Sequence, residues 1–356
     1  MGINTNSGQV ERNNYIDFLR GIAAINIVAI HTAFWGGGQS YTPAWFWNIT
    51  LLLDVPFFFY LSGWSSSYRH CDIVRTSKSL LNIWIKWIFF VIIVAAFCKM
   101  LVCYMPNIQG VNDIRDLVNN MVFNVSIPGL PVIAGSIWFM PHYFVVVLVN
   151  TMIVMMIEQQ DNAAILKTTY MWLLLGVFVW VVFGQYVLGL DLRYFLFYSF
   201  FWMLGINNIG KTENLLKLLS MLIICLIGFT FWSYMQDLPI WDIQSAKFPP
   251  SIKYGFVSMA SIFIARYFEP QINTSLITHI GKNAIWYYFA QGIGSSINYY
   301  VIEWVHIGVW PLKWCVTFMI NLICTVLLAE FLAWIYGKNI MLIKKLIYYY
   351  RRFLHN

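Results

Sequence analysis

From residue 15 to residue 336 the chain alternates apolar runs of roughly twenty residues with short polar connections, and such a pattern leaves few folds open. A helix rises 1.5 Å per residue, so about 20 apolar residues match the hydrocarbon thickness of a bilayer. Ten runs are read this way: 15–35, 44–67, 80–105, 132–157, 169–190, 194–208, 215–235, 252–268, 277–302 and 312–336. Charged residues are only 10% of the 356, against 60% hydrophobic ones. A soluble globular chain carries about 25% charged residues. The expectation is an all-α polytopic membrane protein of about ten transmembrane helices, with residues 1–14 as a tail, 15–336 as the membrane domain and 337–356 as a basic tail. The same figures rule out a soluble globular protein and weigh against a disordered chain, a secreted disulfide scaffold and a detachable soluble domain.

The polar start lacks the basic, apolar and small-residue order of a cleaved signal, so the first run is expected to be retained as a helix. Most of the six cysteines fall inside apolar runs without metal-type spacing and read as packing residues, so no metal is predicted. The net charge of +7 is scattered between apolar runs, which argues against nucleic acid as a partner and for membrane topology. With both termini on one side, 14 Lys and Arg fall on that side and 5 on the other, while Arg20, Lys86 and Lys99 lie within or at the edges of runs. The positive-inside rule then puts both termini in the cytoplasm and the protein in the inner, cytoplasmic membrane as a multi-pass protein.

Two connections are long enough to hold something. The segment around 117–125 reads either as a re-entrant piece or as an ordered external loop. The 236–251 connection, with Asp237, Trp241 and Asp242, suits a carbohydrate or is an ordinary interfacial loop. No internal repeat is visible, which weighs against a transporter built from inverted halves.

Ionisable residues inside apolar runs need a partner or a task. The first run holds Arg20 and His31, eleven residues apart: about three turns plus 20°, hence one helix face, with a rise of about 16 Å. Asp17, three residues before Arg20, is placed to pair with it. The alternative is an interfacial ion pair and an unrelated histidine. Asp54 and Glu330 are two further acids in apolar surroundings, Glu330 with Lys86 or Lys99 as conceivable partners.

The residues around these groups form motifs. Asp17-Phe-Leu-Arg20-Gly21-Ile-Ala23-Ala24 followed by His31, then Asp54-Val-Pro56-Phe57-Phe58-Phe59-Tyr-Leu-Ser62-Gly63-Trp64, resembles the opening of the acyltransferase family 3 membrane proteins. Ser136-Ile-Trp138-Phe139-Met-Pro141 and Ile280-Gly281-Lys282-Asn283-Ala-Ile-Trp-Tyr287-Tyr288 continue the likeness in the family's order. The resemblance implies a ten-helix enzyme that carries an acyl group, usually acetyl from cytoplasmic acetyl-CoA, to a hydroxyl of a bacterial cell-envelope carbohydrate. Acyl-CoA, a carbohydrate or glycolipid acceptor and membrane lipids are the expected partners; oligomeric state is not legible.

In the family the histidine matching His31 is regarded as catalytic and the arginine matching Arg20 as essential. Neutral imidazole is a suitable base for an attacking hydroxyl near pH 7, and a guanidinium suits phosphate. Asp54 is a third catalytic candidate, either orienting His31 or paired structurally with another helix. Trp138, Phe139, His142, Ser62 and Glu330 are candidates for lining the substrate site; Ser62-Gly63 also reads as a point of close helix approach. Arg69, Arg75, Lys78, Lys282 and Asn283 are candidate donor contacts, the first three reading equally as positive-inside charge. The chain departs from the family pattern at Ala284 and Gln291, where serine and histidine are frequent, and at Arg75-Thr-Ser-Lys78, where two arginines are frequent. A second reading is a carrier of acyl groups or lipid-linked sugars that performs no transfer.

Overall fold

The computed structural model describes residues 12–68, 71–104, 130–133, 136, 138–157, 162–182, 191–270 and 275–354. Among them the regular structure is helical throughout, with no β-strand. In chain order the helices are α1 (Asn14–Ala33), α2 (Ala44–Thr50), α3 (Val55–Ser67), α4 (Ile73–Tyr104), α5 (Phe139–Ile157), α6 (Asn162–Val182), α7 (Leu192–Ile206), α8 (Leu215–Met235), α9 (Ile252–Tyr267), α10 (Leu276–Lys282), α11 (Ala284–Val301) and α12 (Trp310–Leu354).

Among the described residues six helical segments are long and apolar enough to cross a membrane: Asn14–Ala33, Ala44–Ser67, Ile73–Phe97, Phe139–Ile157, Leu215–Met235 and Trp310–Leu342. In the described parts of the other apolar runs the helices are short or polar. Ala163–Phe178 and Leu192–Ile206 are shorter apolar helices. α9 carries Lys253 and Arg266, and α11 carries Gln291, Ser295, Ser296 and Asn298, all of them buried. Polar residues turned inward lower a helix's hydropathy without exposing it to lipid.

Several boundaries differ from the apolar runs for local reasons. α4 begins seven residues before its apolar stretch, because Asp72 Oδ1 accepts from Val74 N at 2.9 Å and satisfies a first-turn donor. Arg75 and Lys78 therefore ride on the first turns of a helix. The second run is broken by a 3-10 turn at Leu51–Leu53 and by extended Asp54, and α3 restarts with Pro56 in its first turn, where the missing N–H costs nothing. The ninth run breaks at Asn283 between α10 and α11. α12 runs on through the basic tail to Leu354.

The chain divides into two units. Unit 1 comprises 1–30, 43–80 and 139–282; unit 2 comprises 31–42, 81–138 and 283–356. In unit 1, α3 and α7 meet backbone to backbone: a Cβ on Gly63 would collide with the Trp202 carbonyl, and one on Gly205 with that of Tyr60. The Ser62-Gly63 motif is thus a point of close helix approach. An apolar core of Ile27, Ile30, Leu51, Phe229, Ile243, Tyr254 and Val257 lies in the same unit. In unit 2, Asn321 Nδ2 on α12 donates to Ser295 Oγ on α11 at 3.0 Å and to Thr32 Oγ1 at 2.9 Å.

Candidate functional site

The start of α1 is built around one buried carboxylate. Asn13 caps the helix, its Oδ1 accepting from Tyr15 N at 2.8 Å and Ile16 N at 3.3 Å. Asp17, in the first turn where the helix dipole favours negative charge, is 1% exposed. Arg12 Nε donates to Asp17 Oδ2 at 2.5 Å and Nη2 to Oδ1 at 2.9 Å, a two-point fork. That bond raises the Arg12 pKa above the ordinary guanidinium value. Arg20 Nη1 reaches the same carboxylate at 3.4 Å, the pairing expected from the i, i+3 spacing.

The glycines of the two motifs explain how α1 is held there. A Cβ on Gly21 would meet the Ile277 carbonyl, and one on Gly281 the Asp17 carbonyl. The first turns of α1 and the end of α10 therefore touch through their backbones, which only glycine permits at both positions.

Beside this end of α1 lies a cavity of about 500 Å³ in unit 1. Arg12, Arg20 and Arg75 line it, with Asp17 and Asp72, the hydroxyls of Ser62, Ser65, Ser66, Thr76 and Ser79, and the rings of Tyr68 and Tyr143. Tyr143 OH and Ser62 Oγ are 3.2 Å apart, and Asn13 Nδ2 donates to Tyr68 OH at 2.8 Å. Three guanidiniums, a row of hydroxyls and two phenols make a site for an anionic, hydrogen-bonding ligand with an aromatic part. Sequence reasoning names Arg20, Ser62 and Arg75 among these. Tyr68, Tyr143 and the serine pair 65–66 carry no sequence signal that separates them from other interfacial residues.

The remaining sequence candidates have other surroundings. Lys78 and Lys282 are exposed and outside the cavity lining. Arg69 and the 117–125 segment lie outside the described residues, as does the side chain of Lys99. Asn283 sits in unit 2 at the start of α11, its carbonyl accepting from Trp286 N at 2.8 Å. Phe139 packs in unit 1 with Phe59 and Tyr143, ring centroids 5.3 and 5.4 Å away, and His142 faces Tyr194 at 4.9 Å. Trp138 belongs to unit 2 and is half-buried.

Asp54, 1% exposed, is bound within unit 1: Lys247 Nζ lies 2.6 Å from Oδ2, and Tyr254 OH donates to Oδ2 at 2.7 Å. The pairing with another helix is thus present, through Tyr254 on α9. The cation comes from the 236–251 segment, which Asn48 Oδ1 also holds by accepting from Ile243 N and Gln244 N at 2.8 and 2.9 Å. In that segment Trp241 is exposed and Asp242 Oδ1 accepts from Ser245 N at 3.0 Å. Glu330, in contrast, is exposed where burial was expected, because it lies off the buried stripe of Asn321, Thr325, Ala329 and Leu332 on α12; Tyr287 OH on α11 donates to it at 2.6 Å. Lys86 sits over the Trp286 ring at 5.7 Å.

His31 stands in the last turn of α1 and is 8% exposed. It is the first residue of unit 2, and Gly36 N donates to its carbonyl at 2.5 Å. The adjacent Thr32 is fully buried and fixed by Asn321. Among the described residues no cluster of three or more His, Cys, Asp or Glu is arranged to hold a metal ion.

Neither a curated relative nor a solved structure matches this chain. A family model described as an acyltransferase domain matches residues 13–330, nearly the whole length, and spans the motifs around Arg20, His31, Ser62 and Gly281. A membrane protein built on those residues, with acyltransferase activity in general as its inherited chemistry, is a member of acyltransferase family 3.

Proposed function

We propose that this acyltransferase takes an acyl group, acetyl in the first instance, from cytoplasmic acyl-CoA and delivers it to a hydroxyl of an extracytoplasmic or lipid-linked carbohydrate of a bacterial envelope. It would do so as a ten-span protein of the inner membrane with both termini in the cytoplasm. The observation that carries the reading is the unit 1 cavity, whose three arginines and hydroxyl row match the phosphates and ribose of CoA and whose phenols match its adenine.

In this reading Arg20, Arg12 and Arg75 hold the donor's phosphates, with Asp17 fixing the first two. Lys78, Lys282 and Asn283 belong to the approach rather than to the cavity. His31 is the base. It removes the acceptor hydroxyl's proton as that oxygen attacks the thioester carbonyl; the C–O bond forms, the C–S bond breaks, and the CoA thiolate leaves and is protonated. Along α1, Arg20 and His31 are eleven residues apart, a rise of about 16 Å. For the acceptor, the motif residues Trp138, Phe139 and His142 are the proposed contacts. Asp54, through Lys247 and Tyr254, keeps the 236–251 segment in place.

The test is transfer of label from radioactive acetyl-CoA to an envelope-glycan fraction by the purified protein in nanodiscs. Wild type should label glycan and His31→Ala should fall by about 10²–10⁴-fold with its thermal midpoint unchanged. A His31→Ala protein that transfers at the wild-type rate contradicts the mechanism. Donor movement across sealed vesicles without label in glycan would favour a carrier.

A further inference from the structure

A second cavity of unit 1 is of the opposite kind. A groove of about 300 Å³ runs between α6, α7 and α9. Leu196, Phe200 and Phe201 form its buried floor, and Tyr170 and Leu173 stand exposed at its rim. Two glycines keep it open. A Cβ on Gly176 would rest against Leu196 Cβ at 3.7 Å, and one on Gly255 against the edge of the Phe197 ring at 3.4 Å, so a larger side chain at either position would extend over the groove's floor.

The two ends of the groove differ. At one, Thr169 Oγ1 accepts from Asn207 Nδ2 at 2.8 Å and donates to the Ile165 carbonyl at 3.0 Å, so its hydroxyl is satisfied. At the other, Ser251 is 6% exposed and its Oγ has no hydrogen-bond partner among the described residues, although the residue occupies the position before α9 where serine ordinarily caps. α9 begins at this end and adds the partial positive charge of its uncapped N-terminus, whereas the start of α7 is already capped by Asp191. A ligand with an apolar body and an oxygen acceptor at its head is what this asymmetry selects.

We propose that the groove holds one acyl chain of a bilayer glycerophospholipid, with an ester or phosphate oxygen of its headgroup region accepting from Ser251 Oγ. The rim lies on a helix whose outer face is apolar through Leu174 and Phe178, so the mouth opens onto hydrocarbon. Along the floor, Arg193 and Leu204 are eleven residues apart, about 16 Å, close to one leaflet's share of a hydrocarbon core about 30 Å thick. A phospholipid chain fits that length and a long polyprenyl chain exceeds it. The proposal stands independently of the acyl-transfer reading.

The experiment uses the full chain in nanodiscs containing a phosphatidylethanolamine with a diazirine at the end of one acyl chain, and maps the crosslinks by mass spectrometry. The wild type should carry label on the α7 floor. Gly176→Leu should lower that label about tenfold while the lipid-facing residues of α8 stay labelled. Ser251→Ala, which removes one atom and no packing, should lower floor labelling severalfold and serves if the leucine variant fails to fold. Label confined to α8, floor labelling unchanged in both folded variants, or labelling by a diazirine polyprenyl phosphate in place of the phospholipid would each overturn the assignment.

Discussion

Unit 1 buries full charges, Asp17, Asp54, Lys247, Lys253 and Arg266, whereas the interior of unit 2 is polar and almost uncharged, with Thr32, Gln291, Ser295, Asn298, Asn321 and Thr325. Apart from tyrosine, His31 is the buried ionisable residue of unit 2 among those described. Each buried charge of unit 1 has a definite partner. Asp17 has two arginines, and Asp54 has Lys247 and Tyr254. Lys253 Nζ donates to the Pro239 carbonyl at 2.8 Å, and Arg266 lies 3.7 Å over the Trp64 ring with Nη2 donating to Asn208 at 2.6 Å. Ions fix geometry at the risk of a stranded charge, and neutral groups hold weaker positions at smaller risk.

That contrast is open to direct test. Lys247→Met should cost about 3–5 kcal/mol in unfolding stability because it leaves the Asp54 carboxylate buried without its cation, and adding Asp54→Leu should recover most of the loss. Equal stability of the single and double variants would show that the pair does not govern unit 1. Gly281→Ala should cost about 1–3 kcal/mol, since α10 must back away from the Asp17 carbonyl, while Gly308→Ala, with nothing within 4 Å of the new carbon, should cost nothing measurable. In unit 2, Asn321→Leu removes three neutral hydrogen bonds and should cost about 1–3 kcal/mol, less than Lys247→Met. Thermal unfolding in one detergent ranks all of them, and an Asn321 effect exceeding that of Lys247 would erase the distinction between the units.

Much of this was legible in the residue order, and the rest was hidden for physical reasons. The apolar runs announce membrane helices, the i, i+3 spacing of Asp17 and Arg20 announces their ion pair, and Ser62-Gly63 announces a close helix approach, because each is written in a few neighbouring residues. Long-range partners are not. Asp54 is 193 residues from Lys247 and 200 from Tyr254, and a buried acid implies some cation without saying which. Glu330 looked buried because an apolar run does not reveal which of its faces packs inward. The shorter helices α9 and α11 were read as ordinary spans, whereas their polar residues are what the interior is made of. Ser251, at a helix start in a Pro-Pro-Ser sequence, gives no hint that its hydroxyl is buried and unmet.

The charged cavity of unit 1 is the center of the functional account, and its occupancy is measured most directly by equilibrium binding of acetyl-CoA to the full-length protein. Arg20→Gln should raise the dissociation constant about tenfold or more, Arg20→Lys by less because the charge remains without the fork, and His31→Ala should leave it unchanged. Wild-type affinity in Arg20→Gln, or affinity lost in His31→Ala alone, would contradict the account.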